Sequence, residues 1–350
     1  MKSFSKNIIN EDASIIEALK RINEGHTSLT LFVLDGNNKM VGTLTDGDIR
    51  RKIISGLSLD DKVNKFMSTN FHYIQEGYSV ETVKKIRNND IRLLPLLDSE
   101  MRISRVYDLQ KRKNILPLEC IIMAGGRGER LRPLTDKIPK PMLPLGGKPI
   151  IEHNIDRLIT FGIESIYISV KYLGHQITDY FGDGASKDID IRYIHEELPL
   201  GTAGALSLVE KYKFEYVLLM NGDLFTDVDI EDLFLNVIEQ NAFMGIASIP
   251  YTFKIPYAVF DEDDKQIKGF TEKPIYTKYA NAGIYIFKRE LIDLIPTNTF
   301  FNITDLMDVI IKKNLKVIHN PIIGYWIDIG QTQDYLNAQE IVKHIKNENS

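Results

Sequence analysis

The second half of the chain alternates short apolar runs with amphipathic helical patterns, and this alternation restricts the fold more than any other feature. The apolar runs include "ECIIMA", "IESIYISV", "IDIRYI" and "EYVLLM", and the patterns between them include "IIEHNIDRLITFG", "LGHQITDYFG" and "TAGALSLVEKY". Strands separated by helices predict βαβ units and a mainly parallel sheet. Ligands of such folds bind beyond the carboxyl ends of the strands. The loops after "IIMA" and "VLLM" are therefore expected to open onto one cleft.

The first 110 residues contain a weak internal repeat. Helical patterns begin at Ser14 and Ser79, each serine in a position to cap its helix. Each pattern leads into an apolar strand, a turn and a second strand, which predicts two copies of helix–strand–turn–strand–helix that pack together as one unit. The cationic run and proline of "QKRKNILPLE" indicate a boundary. We expect domains over residues 1–112 and 117–350.

Bulk properties exclude several classes of protein. A net charge of −5 argues against nucleic-acid binding as the main task. A single cysteine, Cys120, excludes an intramolecular disulfide framework, and its apolar surroundings predict a small buried side chain. The amino terminus lacks the apolar core of a signal peptide, and no apolar run approaches membrane-spanning length. A cytoplasmic protein without membrane partners is expected.

The stretch "IIMAGGRGERLRPLTDKIPKPMLPL" combines glycines, cations and prolines after an apolar strand. It is not a dinucleotide fingerprint, because Leu131 occupies the third glycine position, and no Walker A loop is present. Glycines there let backbone N–H groups approach a bound anion. Arg130 and Lys140 flank a segment stiffened by prolines, which lowers the entropic cost of holding two cations around one ligand. A structural turn is the alternative interpretation.

Two aspartates stand directly at strand ends. "EYVLLMNGD" runs into Asp223, and "GYWIDIG" places Asp328 before a glycine and a predicted helix. Either aspartate alone is more typical of a turn or a helix cap. Together with the basic glycine loop they predict a Mg²⁺ site, in which two carboxylates and the substrate's phosphates share the ion.

Two further segments complete the predicted cleft. "EELPLGTAGAL" has Gly201 and Gly204 opening a predicted helix, where a base or ribose can approach closely. "GFTEKP" places Glu272 beside Lys273, an acceptor for hydroxyls next to a cation for a phosphate. A strand-end turn with solvated charges is the alternative for this second segment.

The repeat resembles a tandem pair of CBS domains over roughly residues 1–112, most specifically in "GTLTDGDIRR". The resemblance implies that Thr45 and Asp48 contact the ribose of an adenine-nucleotide effector. A helix N-cap formed by the same two residues is the alternative. The second copy has Arg105 where the threonine would stand, although Asp108 remains. CBS pairs often associate, so a homo-oligomer, a dimer or tetramer, is expected.

Residues 117–347 resemble the sugar-1-phosphate nucleotidyltransferases, whose signature G-G-x-G-x-R-L-x-P-L-T-x-x-x-P-K-P-M occurs almost unaltered as "GGRGERLRPLTDKIPKPM". The resemblance implies an α/β fold: a Rossmann-like (GT-A-like) domain with a mixed, mainly parallel sheet, preceded by the smaller α/β tandem CBS domain. The matched residues take the family's roles: catalytic Arg130, Lys140 and Asp223; nucleotide-binding Gly125, Gly126, Gly128 and Gly201; metal-binding Asp223 and Asp328; and sugar-phosphate-binding Glu272, Lys273, Asn281 and Gly283. One position departs from the family pattern, since Ala258 replaces a usual glycine and leaves the sugar's pose open.

The implied reaction is Mg²⁺-dependent transfer of a nucleoside monophosphate from a triphosphate to a sugar 1-phosphate, for cell-surface glycan biosynthesis. "EELPLGTAGAL" is most similar to the guanylyltransferase branch, so GTP precedes UTP, CTP and dTTP as the expected donor. CBS-fused relatives suggest glucosamine 1-phosphate, with mannose and heptose 1-phosphates as alternatives. A catalytically inactive adenine-nucleotide-sensing module is the hypothesis from another class.

Overall fold

The computed structural model describes residues 4–24, 29–89 and 91–348. The chain divides into two compact units at the bond between Pro117 and Leu118, except that residues 160–162 group with the first unit.

The first unit contains two small sheets of the same topology. Its elements are β1 (Ile8–Asn10), α1 (Ile15–Glu24), β2 (Thr30–Leu34), β3 (Met40–Thr45), α2 (Asp46–Ile54), β4 (Ile74–Gln75), α3 (Val80–Arg87), β5 (Leu93–Leu97) and β6 (Ile103–Asp108). The sheet orders are β1-β2-β3 and β4-β5-β6. In each sheet the first pair of strands is parallel and the second antiparallel. The predicted internal repeat is confirmed.

Serine caps open the first helix of each copy, as predicted. The Ser14 Oγ accepts a hydrogen bond from the Glu17 N–H at 3.2 Å, and the Ser79 Oγ accepts one from the Thr82 N–H at 3.2 Å. Each cap satisfies a backbone donor that the helix itself leaves without a partner. The last residue of each helical pattern, 25 or 90, lies outside the described residues.

The helix predicted at the end of the second copy is wrong. After β6 the Asp108 Oδ1 accepts a hydrogen bond from the Gln110 N–H at 3.0 Å, and the Leu109 N–H donates to the Arg92 carbonyl at 2.8 Å. Aspartate side chains that bond the backbone two residues later favour a turn over a helix. The chain therefore turns here and enters the second unit.

The second unit is built on one large sheet. Its elements are β7 (Leu118–Met123), β8 (Pro144–Leu145), β9 (Lys148–Pro149), α4 (Ile150–Thr160), β10 (Ser165–Val170), α5 (Gly174–Phe181), β11 (Asp190–His195), β12 (Tyr216–Asn221), β13 (Leu224–Thr226), α6 (Ile230–Glu239), β14 (Met244–Lys254), β15 (Val259–Asp263), β16 (Gln266–Thr271), β17 (Ile275–Lys288), α7 (Ile303–Lys312), β18 (Val317–Pro321), β19 (Trp326–Asp328) and α8 (Thr332–Glu348). Seven strands form the sheet in the order β11-β10-β7-β12-β17-β14-β18. All of them run in one direction except β17, which is antiparallel to both its neighbours.

This mixed, mainly parallel sheet confirms the predicted α/β fold class. The inner strands read as continuous apolar runs because both their faces are covered. Cys120 is fully buried in β7, as predicted, and burial raises the pKa of its thiol well above the ordinary value. Among the helices of the described residues, none combines the length and hydrophobicity needed to cross a membrane.

The helix predicted for "TAGALSLVEKY" is also wrong, because only a five-residue 3-10 turn forms, over Gly204–Leu208. The N–H groups of Ala203 and Gly204 both donate to the Phe301 carbonyl at 3.0 Å. Gly201 has φ +74°, and a Cβ at this position would lie 2.7 Å from the same carbonyl oxygen. Tertiary hydrogen bonds to the segment before α7 therefore determine this backbone, where helical propensity alone would be weak.

The distal halves of β14 and β17 extend as a two-stranded arm with exposed side chains. The hairpin of β15 and β16 lies between them in sequence. "GFTEKP" ends β16 and turns into β17, with Lys273 at φ +43°. The strand-end turn considered for this segment is what the structure contains.

Candidate active site

A cleft of about 610 Å³ opens at the carboxyl ends of β7 and β12. The loops after the two strands lie together, as the topology predicts: the Gly222 N–H donates to the Met123 carbonyl at 2.9 Å. The lining residues are Met123, Ala124, Gly125, Gly126, Arg127, Gly128, Glu129, Arg130, Lys140, Pro141, Lys171, Glu196, Pro199, Gly201, Thr202, Asn221, Asp223 and Phe300.

The glycine loop is shaped by neighbours on one side and open on the other. Gly128 has φ +61°, and a Cβ there would lie 3.0 Å from the Lys140 Cβ. The Gly128 carbonyl also accepts a hydrogen bond from the Thr135 hydroxyl at 2.8 Å. At Gly126, by contrast, an added Cβ would meet nothing within 4 Å. The loop therefore presents bare backbone to the cleft, which is what close approach by an anionic ligand requires.

The proline-rich segment after the loop is held from the β10–α5 connection. The Tyr172 hydroxyl donates to the carbonyls of Thr135 and Asp136, each at 3.1 Å. The Gln176 amide donates to the Lys137 carbonyl at 2.8 Å. Prolines limit the conformations of the free segment and these bonds fix the remaining ones, so the cations at its ends are preorganised.

Strand pairing brings the two aspartates together from distant parts of the chain. β13 and β19 pair antiparallel, with Leu224 opposite Asp328. The Ile329 N–H donates to the Asp223 carbonyl at 3.3 Å. Ile329 and Leu131 are buried in the same apolar cluster, so this cluster anchors the backbones of their neighbours Asp328 and Arg130.

Lys140 lies between the two carboxylates. Its ammonium donates to the Asp223 Oδ2 in a very short contact and to the Asp328 Oδ1 at 3.4 Å. The residue is only 8% exposed, which is rare for lysine and is tolerated because its charge is paired. The other oxygen of Asp223, Oδ1, is buried and has no hydrogen-bond partner among the residues that the structure describes.

Burial and neighbouring charges determine the electrostatics around Asp223, Lys140 and Asp328. Burial, and then the neighbouring Asp223 carboxylate, raise the pKa of Asp328, while Lys140 and Arg130 oppose the rise. Arg130 is exposed and its guanidinium lies beside Gly330. No hydrogen bond or ion pair engages that guanidinium within the described ranges, so it is available to a ligand in the cleft.

The residues fit a hard divalent cation. Two half-buried carboxylates converge, and the unpartnered Asp223 Oδ1 is the type of buried oxygen that a cation satisfies. Mg²⁺ is commonly held by one or two carboxylates together with phosphates of the substrate.

The predicted sugar-phosphate residues divide into two groups. Asn281 and Gly283 lie beside the cleft: Asn281 Oδ1 accepts from the Gly283 N–H at 2.9 Å, and a Cβ on Gly283 would lie 2.6 Å from the Asn221 amide nitrogen. Glu272 and Lys273 are exposed on the turn after β16 and do not line the cleft.

Several polar residues of the cleft were not predicted from the sequence, among them Lys171 and Glu196. Glu196 accepts hydrogen bonds from the Ser169 hydroxyl, in a very short contact, and from the Leu200 N–H at 3.2 Å. Both residues directly follow parallel strands, β10 and β11. The rule that ligands bind at carboxyl ends, extended from two strands to all the parallel strands, would have identified them.

In the first unit, Thr45 and Asp48 form the N-cap of α2. Thr45 Oγ1 accepts from the Asp48 N–H at 3.2 Å, and Asp48 Oδ2 accepts from the Thr45 N–H at 2.9 Å and from its hydroxyl at 2.7 Å. This reciprocal arrangement is a capping box. The N-cap alternative therefore describes these residues, and a nucleotide site at the same position stays a prediction.

Sequence profiles of known families match residues in both units. The sequence profile of the CBS domain matches residues 7–55, the first copy of the repeat. The profile described as Nucleotidyl transferase matches residues 119–344.

Curated relatives match just under two thirds of the chain. The mannose-1-phosphate guanylyltransferase of Mycobacterium tuberculosis is 30% identical over 63% of this chain and 63% of its own. The bifunctional protein GlmU of Methanocaldococcus jannaschii is 33% identical over 64% of this chain and 54% of its own. The UTP–glucose-1-phosphate uridylyltransferase of Synechocystis is 31% identical over 63% of this chain and 62% of its own. The chain thus spans less than two thirds of the length of these relatives.

A solved Bacillus anthracis structure, assigned as a glucose-1-phosphate thymidylyltransferase and containing sucrose, has a TM-score of 0.52 at 24% identity. The match covers 64% of this chain and 95% of that one. At this identity the likeness concerns the fold alone. With the family profile spanning most of the chain, from Glu119 to His344, the protein belongs to the nucleotidyl transferase family.

Proposed function

We propose that the protein transfers a guanylyl group from GTP to a sugar 1-phosphate, with release of pyrophosphate and with Mg²⁺ as cofactor. One observation carries the proposal: a bare glycine loop, two cations and Asp223 line a single cleft, and Lys140 joins Asp223 to the second carboxylate, Asp328. This combination suits the meeting of two polyanionic reactants.

The reaction needs no strong general acid or general base from the protein. The phosphate of a sugar 1-phosphate is already an anionic nucleophile, and it attacks the α-phosphorus of the triphosphate in line. The bond to the bridging oxygen breaks, and pyrophosphate leaves with the electron pair. Such a site works by positioning the reactants and stabilising charge on the phosphate oxygens.

Each residue has a role in this scheme. The backbone N–H groups around Gly126 cradle the triphosphate, and Arg130 with Lys140 stabilise its charge. Asp223 and Asp328 would hold Mg²⁺, which supplies charge neutralisation on the phosphate oxygens when bound. Lys273 would fix the incoming sugar phosphate, which requires the exposed turn after β16 to approach the cleft.

Glu196 supports guanine as the base. A carboxylate is an acceptor only, and it lies in the same cleft as Gly201. Guanine presents two adjacent N–H donors on its Watson–Crick edge, which a carboxylate can bind together. Ser169 and Leu200 each engage one oxygen of Glu196, so guanine would use the second lone pair of each oxygen. The Watson–Crick edges of uracil, thymine and cytosine place acceptors next to their donors, so they match a carboxylate less well.

Glu196→Gln is expected to lower kcat/KM for GTP by about 10- to 100-fold, because one charge-assisted hydrogen bond of about 1.5–3 kcal/mol is lost. The GTP-to-UTP ratio of kcat/KM, measured by pyrophosphate release, should fall. Glu197→Gln is the matched control, since that exposed neighbour does not line the cleft. An unchanged ratio in Glu196→Gln would exclude this residue from reading the base.

Glucosamine 1-phosphate is the acceptor we propose first, with mannose or a heptose 1-phosphate as alternatives. Relatives are named for mannose 1-phosphate and for glucose 1-phosphate, so both sugar phosphates belong in the test. The whole proposal is tested by measuring pyrophosphate release with each of GTP, UTP, CTP and dTTP against a panel of sugar 1-phosphates. Release with UTP but not GTP would overturn the choice of base, and no release with any pair would favour an inactive nucleotide-sensing module.

For the first unit we propose a regulatory adenine-nucleotide site at Thr45 and Asp48, on a dimeric or tetrameric protein. The capping box engages both side chains, so a bound ribose must replace the hydrogen bond from the Thr45 hydroxyl to Asp48.

Thr45→Ala and Ser79→Ala each remove a helix cap and should each lower the free energy of unfolding by about 1 kcal/mol. Only Thr45→Ala should weaken the binding of AMP or ATP, measured by calorimetry on the full-length protein. Equal affinity in the two variants would leave Thr45 as a cap without a role in binding nucleotide.

A further inference from the structure

We propose that the Lys140 ammonium takes the place of a divalent cation in the ligand-free protein. It holds the two carboxylates together in the ligand-free protein and turns to the nucleotide's phosphates when a divalent cation is bound, so that metal binding and nucleotide binding are coupled. The identity of the nucleotide in this coupling rests on the proposed function.

The position of Lys140 supports this role. Its ammonium contacts Asp223 and lies 3.4 Å from the Asp328 Oδ1, between the two oxygen groups that suit a divalent ion. Two cations cannot share this space, because like charges a few ångströms apart repel strongly at reduced dielectric. A bound divalent cation and the Lys140 contacts seen here are therefore mutually exclusive.

The Lys140 ammonium can also reach a second position, along the cleft. Its Cβ packs against the glycine loop, as the 3.0 Å approach to an added Gly128 Cβ indicates. From that base, a flexible four-carbon stem can direct the ammonium either to the carboxylates or along the cleft that Gly126 and Arg130 also line. In the second direction an ammonium is favourable only when an anion is present to pair with it.

Charge explains the coupling. With Lys140 in place, the cluster of two carboxylates and one ammonium carries one net negative charge rather than two. Metal alone must displace the ammonium from its partners and leave it buried without a counterion, which costs free energy. A nucleotide removes that cost by supplying new partners, so each ligand should strengthen the binding of the other by the same factor.

The test is direct binding of Mn²⁺, followed by the electron paramagnetic resonance signal of the free ion, with no turnover involved. Without nucleotide, Lys140→Met should bind Mn²⁺ about tenfold more tightly than wild type, which corresponds to about 1.4 kcal/mol. The gain in Mn²⁺ affinity on adding a non-hydrolysable α,β-methylene GTP should be smaller in the variant than in wild type.

Two variants separate charge from packing. Lys140→Arg keeps a cation at this position and should not gain Mn²⁺ affinity. Lys148→Met removes another ion-paired lysine, whose partner Asp156 lies outside the cleft, and should bind Mn²⁺ like wild type. Thermal melting confirms folding, and Lys140→Gln replaces Lys140→Met if the latter is unfolded.

Mn²⁺ affinity that is unchanged or weaker in a folded Lys140→Met or Lys140→Gln protein overturns the proposal. Tighter binding in Lys148→Met as well would also overturn it, because the effect would then reflect net charge. Pyrophosphate release by the wild type is measured separately. Its absence would refute the proposed function while leaving the Mn²⁺ comparison valid.

Discussion

Asp223→Asn is expected to lower kcat for nucleotide-sugar formation on the order of 10²- to 10³-fold, the range for loss of one preorganised charged group at a reacting centre. Asparagine keeps the size of the side chain but removes the charge that contacts Lys140 and would bind the proposed Mg²⁺. The buried Oδ1, which has no partner within the described residues, is then a weaker ligand for a cation. Pyrophosphate release at saturating GTP and sugar 1-phosphate measures the effect.

Asp136→Asn is the matched control for this change. Asp136 lies in the proline-rich segment after the glycine loop, pairs with Arg132 at the surface and does not line the cleft. The kcat of Asp136→Asn should therefore stay near that of wild type. A folded Asp223→Asn protein that makes nucleotide sugar at a near-normal rate would remove Asp223 from the metal site.

Arg130→Ala is expected to reduce kcat by a similar factor, on the order of 10²- to 10³-fold. The guanidinium lies at the cleft beside Gly330 without a hydrogen-bond or ion-pair partner in the described part of the chain, so it can bind phosphate oxygens without breaking another interaction. Arg130→Lys should recover only part of the rate, because an ammonium lacks the planar fork that binds two oxygens together. Initial rates over a range of GTP concentrations separate kcat from KM.

Arg132→Ala controls for the loss of a nearby positive charge, since Arg132 is exposed, pairs with Asp136 and does not line the cleft. If Arg130→Ala raised KM for GTP and left kcat unchanged, Arg130 would bind the ground state and the transition state equally. That outcome would contradict a role in stabilising the charge that develops during transfer.

Two expectations drawn from local sequence failed for the same physical reason. "TAGALSLVEKY" has a helical period, yet hydrogen bonds from Ala203 and Gly204 to Phe301 impose another backbone. "YDLQKR" has helical composition, yet the Asp108 side chain bonds the backbone two residues later. In both cases a specific polar contact overrode a weak propensity, and the segment before α7 that supplies the first contact is distant in sequence.

Glu196 shows how a residue that lines the cleft can escape a motif search. It follows β11, one strand beyond β10 and two beyond β7 in the sheet, and its own sequence context is an ordinary acidic pair. The segment that Glu196 begins was predicted to line the cleft through Gly201 and Gly204, and the strand order is what brings the Glu196 carboxylate close to the glycine loop at Gly125. A rule based on topology identifies Glu196 by its position at a strand end, whereas the neighbouring letters singled out only the glycines of its segment.

The sequence by itself determined the α/β class, the repeat in the first unit and the chemical types present in the cleft. Periodicity and glycine placement are local properties of the chain, and side-chain burial along a strand or helix follows from them. Tertiary structure alone decided that Lys140 lies between Asp223 and Asp328. The position of one side chain between two others depends on how β13 pairs with β19, and no local pattern encodes that pairing.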